Sequence, residues 1–525
     1  MIVVTMNRPE FEYDIHSLFK AFFPKENVSA TAEQKNYEEI VSIHMQVDYA
    51  EDAIHLTWKQ YEYPALEEEF FTDGHSRIRR RPLPEILERA INVTELPSKQ
   101  VKVNYEDRTE VKNALKNALY EMLSSYCGME LPWGTLTGIR PTKIPMKLLE
   151  EGKGREEIQA YMKDTYQASD EKIDLSIEIA ERELKMLQKL DYKDGYSLYI
   201  GIPFCPTTCL YCSFTSYPLS MWASRMDEYL DALEKEIDFV AVKFAKKHLN
   251  TIYIGGGTPT TLEPYQLDRL IRKIKCSFDL SHCLEFTVEA GRPDSITREK
   301  LEVLKKHHIS RISINPQTMK QDTLKLIGRH HTVEQTIQSF EMARELGFDD
   351  INMDLIMGLP GETIEDVRET LEKVKQLHPD NLTVHSLALK RAARLNMFKE
   401  DYDKYEMVNT KEHMELTEQY AKEMGLSPYY LYRQKSMAGN LENVGYASPG
   451  KAGIYNILIM EEKQTIMALG AGATTKFVFP TPGGEEEGKV TMVRVENVKD
   501  VCNYLERIDE MIERKVRKME EISWH

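Results

Sequence analysis

Apolar residues recur along this chain with two different periods, and the change between them divides it. In residues 111–126 the set Val111, Leu115, Ala118, Leu119, Met122 and Leu123 lies on one face of a 3.6-residue turn, which predicts an amphipathic helix. The same spacing of Ile173, Ile177, Ala180, Leu184 and Leu187 predicts a helix over 170–190, with Asp170 as its N-cap. Ahead of these, residues 40–47 and 53–58 read as strands joined by a short acidic turn. A helix near 85–91 follows the basic run 77–81, which reads as its solvated approach. From residue 196 to 387 the pattern changes. Short apolar strands (197–202, 251–254, 284–288, 311–314, 352–356, 382–385) alternate with amphipathic helices (227–244, 264–273, 298–306, 332–346, 364–377). Such alternation makes an α/β fold with a parallel sheet covered by helices. Six units predict an incomplete (β/α)6 barrel rather than the usual eight. Residues 388–525 are less regular: a helix over about 411–424, the tyrosines Tyr429, Tyr430 and Tyr432, the turn Gly470-Ala471-Gly472-Ala473, a surface hairpin loop at 483–488 and a charged helix at 498–519. The expected divisions are an α+β region (1–105), a helical linker region (106–195), the alternating core (196–387) and a mixed C-terminal domain covering the substrate (388–525).

A chain of 525 residues is too long for one core, and 42% hydrophobic with 29% charged residues is ordinary globular composition. The net charge of −17 argues against a general nucleic-acid or anionic-membrane surface. An anionic substrate would need a local basic pocket within that acidic field. No apolar run approaches the ~20 residues of a bilayer span. The first residues lack the basic-then-apolar pattern of a signal peptide, so the expected location is cytoplasmic.

Three of the seven cysteines sit in one loop, Cys205-Pro-Thr-Thr-Cys209-Leu-Tyr-Cys212, directly after strand-like 196–202. Three thiolates can hold three irons of a [4Fe–4S] cluster and leave the fourth iron open for chemistry. A structural zinc site completed by histidine, or cysteines placed by accident, are the alternatives at this level, although no second C-x2-C pair accompanies the loop. Cys127, Cys276, Cys283 and Cys502 read as buried small hydrophobes.

The other polar residues gain meaning from position. In parallel α/β folds chemistry gathers at the C-terminal ends of the strands. The cysteine loop follows the first strand, and Gly255-Gly256-Gly257-Thr258-Pro259-Thr260 the second. Glu289 and Arg292 follow the third and Gln317 the fourth. Asp354 lies in the fifth, which Gly358-Leu359-Pro360 closes; His385, Lys390 and Arg391 end the series. The glycine run could equally be a tight β–α turn, and it lacks the Gly-Lys-Ser/Thr of a phosphate loop. Taken singly, each of these side chains could be a satisfied structural polar group.

In this order the residues resemble the radical S-adenosylmethionine (SAM) enzymes, and among them the oxygen-independent coproporphyrinogen III oxidase family. The likeness covers about 196–480 and rests on the segments YIGIPFC (199–205), GGGTPT (255–260), RISINPQTM (311–319), IGRHHT (327–332) and NMDLIMGLPGET (352–363). The segments GIRPTK (138–143), VHSLALKR (384–391) and ALGAGATTK (468–476) are similar to the HemZ-type branch. The resemblance implies a [4Fe–4S] cluster on Cys205, Cys209 and Cys212, whose open iron chelates the amino and carboxylate groups of SAM. One electron then gives methionine and a 5′-deoxyadenosyl radical. It implies Tyr211 near the adenine, and Gly255, Gly256, Gly257 and Thr258 admitting the methionine amino group. Glu289 would bind the ribose, Gln317 and Arg329 the SAM carboxylate and ribose region, and Asp354 the ribose or adenine side. Tyr199 would stand near the sulfonium.

The implied reaction is oxidative decarboxylation of two propionates of a porphyrinogen to vinyls, with an external one-electron donor such as flavodoxin or ferredoxin. Lys390, Arg391, Arg394, Arg433 and Lys435 are the candidate propionate cations. Two positions depart from the best-known branch: Phe214 stands where it has a fourth cysteine, and Gly201 where it has histidine. Family members with phenylalanine there imply the alternatives, a haem-binding chaperone or another radical SAM tetrapyrrole enzyme such as an anaerobic haem-degrading methyltransferase.

Overall fold

The computed structural model describes residues 1–522 except 65–69, 72–78, 139, 389, 391–392, 399–401, 403, 435–440 and 481–489. Arg391, Lys435, the hairpin loop at 483–488 and the start of the basic run at 77–81 therefore lie outside the described residues. The chain forms two compact units, Met1–Ile139 with Gly152–Leu175, and Arg140–Glu151 with Ser176–His525. Residues 106–195 are divided between them.

The first unit is a mixed sheet in the order Val28–Thr31, Ile2–Met6, Ile43–Tyr49, Ala53–Glu62, Asn92–Glu95, with Lys99–Lys102 also paired to Ala53–Glu62. The helix Arg108–Cys127 presents Leu115, Leu119 and Leu123, all fully buried, to Ile2, Val4, Ile15 and Phe19. Each such leucine stabilises the unit by about 1.5–3 kcal/mol. Asp107 Oδ1 caps this helix by accepting from the N–H groups of Thr109 and Glu110 at 2.8 and 3.0 Å, and Gly128 ends it at φ 62°. One expectation is corrected. Asp170 is already the first residue of its helix, and the cap is Ser169, whose Oγ accepts from Lys172 N–H at 3.4 Å.

In the second unit the six expected strands are β1 (Gly195–Ile202), β2 (His248–Gly256), β3 (Glu285–Gly291), β4 (Arg311–Ile314), β5 (Ile351–Met357) and β6 (Asn381–Ser386). They lie side by side in sequence order, all parallel. The connecting helices are α1 (Met226–Lys243), α2 (Pro264–Ser277), α3 (Arg298–Lys306), α4 (Val333–Glu345) and α5 (Ile364–Leu377). Thr297, Thr332 and Thr363 cap α3, α4 and α5 through their hydroxyls, so those turns start where the strands' loops require.

The sheet extends beyond the six strands. β7 (Ser427–Tyr432) and β8 (Asn443–Ala447) add antiparallel strands beside β6. On the other edge β9 (Thr465–Leu469) runs parallel to β1, followed by antiparallel β10 (Thr474–Pro480) and β11 (Val490–Glu496). The parallel set thus has a seventh member, drawn from the segment whose pattern is least regular.

The turn after β9 is tied to the end of β1 through Tyr229. Tyr229 Oη donates to Gly201 O at 2.7 Å, at the end of β1, and accepts from Ala471 N–H at 3.1 Å. Beneath it Glu236 and Lys515, both fully buried, pair at 2.6 Å. Glu236 also accepts from Gly470 N–H, Tyr504 Oη and Asn497 Nδ2. This network joins α1, the glycine turn and the C-terminal helix Ile508–Glu521 behind the strand that feeds the cysteine loop. No helix among the described residues is long and apolar enough to cross a membrane.

Candidate active site

β1 is buried along nearly its whole length and passes the chain straight to Phe204–Cys205, which pairs with Tyr217–Pro218. The cysteine loop lies between. Its tip is anchored by Leu210, buried against Ile327, Ile356, Leu359, Leu387 and Leu395. Leu210 N–H donates to Ile327 O and Leu210 O accepts from Leu395 N–H, both at 2.9 Å. One apolar residue between two cysteines thus fixes the loop that carries them.

Among the described residues no three histidine, cysteine, aspartate or glutamate side chains converge on a single metal ion. The thiols are nonetheless close enough for Cys209 and Cys212 each to raise the pKa of Cys205. A cubane takes each thiolate on a different iron, so its ligands stand wider apart than those of one ion. Burial pushes the Cys205 thiol up to about 11, opposed by the Thr258 hydroxyl, which donates to its Sγ at 3.5 Å. Burial also raises the Cys212 thiol, opposed by the Phe214 N–H. Arg292 Nη1 lies 3.7 Å from Cys209 Sγ.

The glycine run packs against this loop. Gly257 N–H donates to Ile202 O at 2.8 Å and Thr258 N–H to Phe204 O at 2.7 Å. A Cβ on Gly257 would stand 2.6 Å from Phe204 O and 3.0 Å from Cys205 Sγ, and one on Gly255 3.0 Å from Glu289 Cδ. Gly256 takes φ +107°. Close backbone approach therefore demands glycine here, beyond what the turn alone requires.

Glu289, at the end of β3, accepts from Tyr253 Oη at 2.5 Å. Burial pushes its carboxyl up to about 7, with Tyr253 opposing and Asp354 adding to the rise. Asp354 is placed oppositely. Burial would raise it, but His385, Asn352 and Thr383 together hold it below the usual carboxylate range. Asn352 Nδ2 donates to its Oδ1 at 2.7 Å, and His385 Nε2 stands 3.8 Å from its Oδ2. Gln317 bridges β4 and β5: its N–H donates to Asp354 O and its carbonyl accepts from Ile356 N–H, both at 2.9 Å. It holds φ 68°, a left-handed conformation that costs a non-glycine residue about 1–3 kcal/mol.

Arg329 is buried, its Nη1 donating to Asn315 O at 2.5 Å, and its charge faces Tyr211 and Cys209. Its Nε has no hydrogen-bond partner, nor do the buried Ser313 Oγ and Asn315 Oδ1 nearby in the chain. His331, to which sequence reasoning assigned no role, is fully buried with neither ring nitrogen partnered. Burial, then Arg329, holds its pKa down to about 4, so it is neutral near pH 7. Tyr199 stacks with Tyr253 and Tyr455 at ring distances of 6.2 and 6.4 Å. Its hydroxyl lies 3.3 Å from where a Gly256 Cβ would be.

The cations are more scattered. Lys390 Nζ lies 5.6 Å from the ring of Phe214, which is 72% exposed at the rim of the cysteine loop. Arg394 is exposed and Arg433 buried. The remaining cysteines correct the expectation of burial: Cys276 and Cys502 are exposed, and Cys127 and Cys283 only partly covered. Tyr253, Tyr455 and Asn352 are site neighbours that the sequence reading missed. Tyr253 carried a signal, since it lies two residues before Gly255 and so on the same face of β2.

The sequence profile of the Radical SAM superfamily matches residues 199–374. The "Oxygen-independent coproporphyrinogen-III oxidase-like protein HemZ" of Bacillus subtilis (strain 168) is 44% identical over 418 residues, which cover 79% of this chain and 82% of that protein. The chain belongs to the HemZ family. This HemZ-family chain is also 43% identical to the "Heme chaperone HemW" of Bacillus subtilis (strain 168) over 195 residues, 36% of the chain and 50% of that protein. The "Oxygen-independent coproporphyrinogen III oxidase" of Escherichia coli (strain K12) is 35% identical over 192 residues, 37% of the chain and 42% of that protein. The match thus spans half or less of the chaperone and the oxidase.

The cofactors of this HemZ-family chain are a [4Fe–4S] cluster and SAM. Its residues fit both groups. Three thiols share one apolar-anchored loop, the glycine run leaves no room for a side chain beside it, and buried polar atoms without partners lie on the segment after β4.

Proposed function

We propose that this chain oxidises coproporphyrinogen III without oxygen, converting two propionates to vinyls by radical SAM chemistry. The observation that carries the reading is the meeting of the cysteine loop, the glycine run and the Glu289–Asp354 pair at one end of the sheet, in a chain aligned to 82% of HemZ.

Cys205, Cys209 and Cys212 hold the cluster, and Gly255 to Thr258 admit the methionine amino group. Glu289 and Asp354 take the ribose hydroxyls, Gln317 and Arg329 the carboxylate side. Tyr211 lies by the adenine and Tyr199 by the sulfonium. When bound, cluster and SAM supply a 5′-deoxyadenosyl radical that removes one hydrogen atom from substrate. The substrate loses that atom from a propionate β-carbon, then one electron to an external acceptor and CO2, leaving a vinyl group. An external one-electron donor of the flavodoxin or ferredoxin kind starts each cycle. Lys390 and Arg394, on the segment after β6, and the buried Arg433 are the described candidates for binding the propionates.

A second reading, a haem-binding chaperone, is favoured by the 43% identity to HemW and by the exposed Phe214. Anaerobic incubation with SAM, reductant and coproporphyrinogen III, followed by mass analysis of the tetrapyrrole, separates the readings. Loss of two CO2 supports the oxidase. Unchanged mass with tight haem binding supports the chaperone, and a gain in mass supports methyl transfer.

A further inference from the structure

Arg292 is 3% exposed and follows β3 immediately. Its Nε and Nη2 donate to Asp294 Oδ1 and Oδ2 at 3.0 and 2.6 Å, a two-point fork that fixes the guanidinium plane. Pro293 lies between the two residues and opens the single helical turn Pro293–Ser295. Ser295 Oγ donates back to Arg292 O at 2.8 Å. The arginine is therefore set in place by its own short segment. The third nitrogen, Nη1, points into the cysteine loop: it donates to Thr207 O and Thr207 Oγ1, each at 2.9 Å, and reaches Cys209 Sγ at 3.7 Å. Thr207 Oγ1 in turn donates to Gly328 O at 2.8 Å, in the segment that carries Arg329.

We propose that Arg292, oriented by Asp294, is a positioning residue for the cluster: it pins the Cys209 end of the loop and, by donating to the Cys209 sulfur, raises the cluster's reduction potential. The proposal rests on the reading of Cys205, Cys209 and Cys212 as cluster ligands. Reduction adds negative charge to a cluster and its thiolates. A buried cation that donates to one thiolate favours the reduced form, and hydrogen bonds to sulfur are among the determinants of cluster potential. Burial makes the effect larger than it would be in water. Cys209 faces the guanidinium groups of both Arg292 and Arg329, whereas the hydrogen-bond donor to Cys205 among the described residues is the neutral Thr258 hydroxyl.

The test is an anaerobic redox titration of reconstituted protein without SAM, followed by electron paramagnetic resonance and paired with iron and sulfide analysis. Arg292→Gln removes the charge and keeps an amide donor, which ends at the depth of Nε and reaches Thr207 through a bridging water; Arg292→Met removes both. In Arg292→Gln the reduction equilibrium shifts at least tenfold toward the oxidised form, about 59 mV for one electron. Arg292→Met shows the same shift and, in folded protein, a lower iron content. A folded Arg292→Met that retains no iron supports the pinning role, and the Arg292→Gln midpoint then decides the potential. Wild-type iron content and midpoint in both variants overturn the proposal. Wild-type protein that takes up no iron and sulfide overturns the reading of the cysteines instead, and Arg292 with it.

Discussion

Tyr253 donates its hydroxyl hydrogen to Glu289 Oε1 at 2.5 Å, from β2 to the end of β3, in a site where burial has pushed the carboxyl up to about 7. The bond favours the ionised carboxylate, the form that can accept hydroxyl groups. Without it the same burial would hold the proton more firmly.

A pH dependence of SAM binding follows. A ligand whose hydroxyls need the Glu289 carboxylate must displace a proton below about pH 7, so affinity is constant above that pH and falls by up to ~10-fold per unit below it. Tyr253→Phe moves the midpoint upward and weakens binding at pH 7 by about tenfold, the scale of one hydrogen bond to a charged group. Glu289→Gln binds weakly with no such midpoint. Calorimetric titration of reconstituted protein with SAM across pH 5.5 to 8.5 reads all three.

Replacing Cys205, Cys209 or Cys212 by alanine removes one of the three proposed iron ligands and is expected to abolish the cluster absorbance and the stoichiometric iron and sulfide. Cys276→Ala, on an exposed residue, leaves both unchanged.

Gly257→Ala tests the fit of the glycine run to the cysteine loop. The new methyl would stand 2.6 Å from Phe204 O, so backbone must move and the loop with it. Reconstituted Gly257→Ala is expected to retain less iron than wild type while its thermal unfolding stays cooperative. Gly138→Ala, where nothing lies within 4 Å, behaves as wild type.

Lys515→Met leaves the buried Glu236 carboxylate without its cation. Breaking such a pair costs about 3–5 kcal/mol, read as a lowered denaturant or thermal midpoint. Replacing Glu236 as well does not restore stability, because Gly470 N–H, Tyr504 and Asn497 also depend on its oxygens.

The six core strands were legible because each is a short apolar run between amphipathic helices, and most of the candidate site residues stood out because they lie at or just after the ends of those runs. β9 was not legible. Its partner β1 lies far earlier in the chain, and a five-residue apolar run carries no record of which edge it joins. Asp170 and Ser169 are adjacent N-cap formers, and only the backbone geometry of the first turn chooses between them. The three thiols announced themselves by spacing, but their surroundings did not. The Arg292–Cys209 and Tyr253–Glu289 contacts join different strand ends, and chain order says only that those ends are neighbours. Exposed Cys276 and Cys502 show the limit of a residue-type average, since burial is decided by the face on which the residue falls.

The most direct test of the central claim is the 5′-deoxyadenosine formed by reconstituted protein under anaerobic, reducing conditions, with and without coproporphyrinogen III, measured together with CO2. Substrate-dependent formation of one 5′-deoxyadenosine for each carboxyl lost is expected, abolished in Cys209→Ala. An intact cluster that cleaves SAM without CO2 release, or not at all, would contradict the claim.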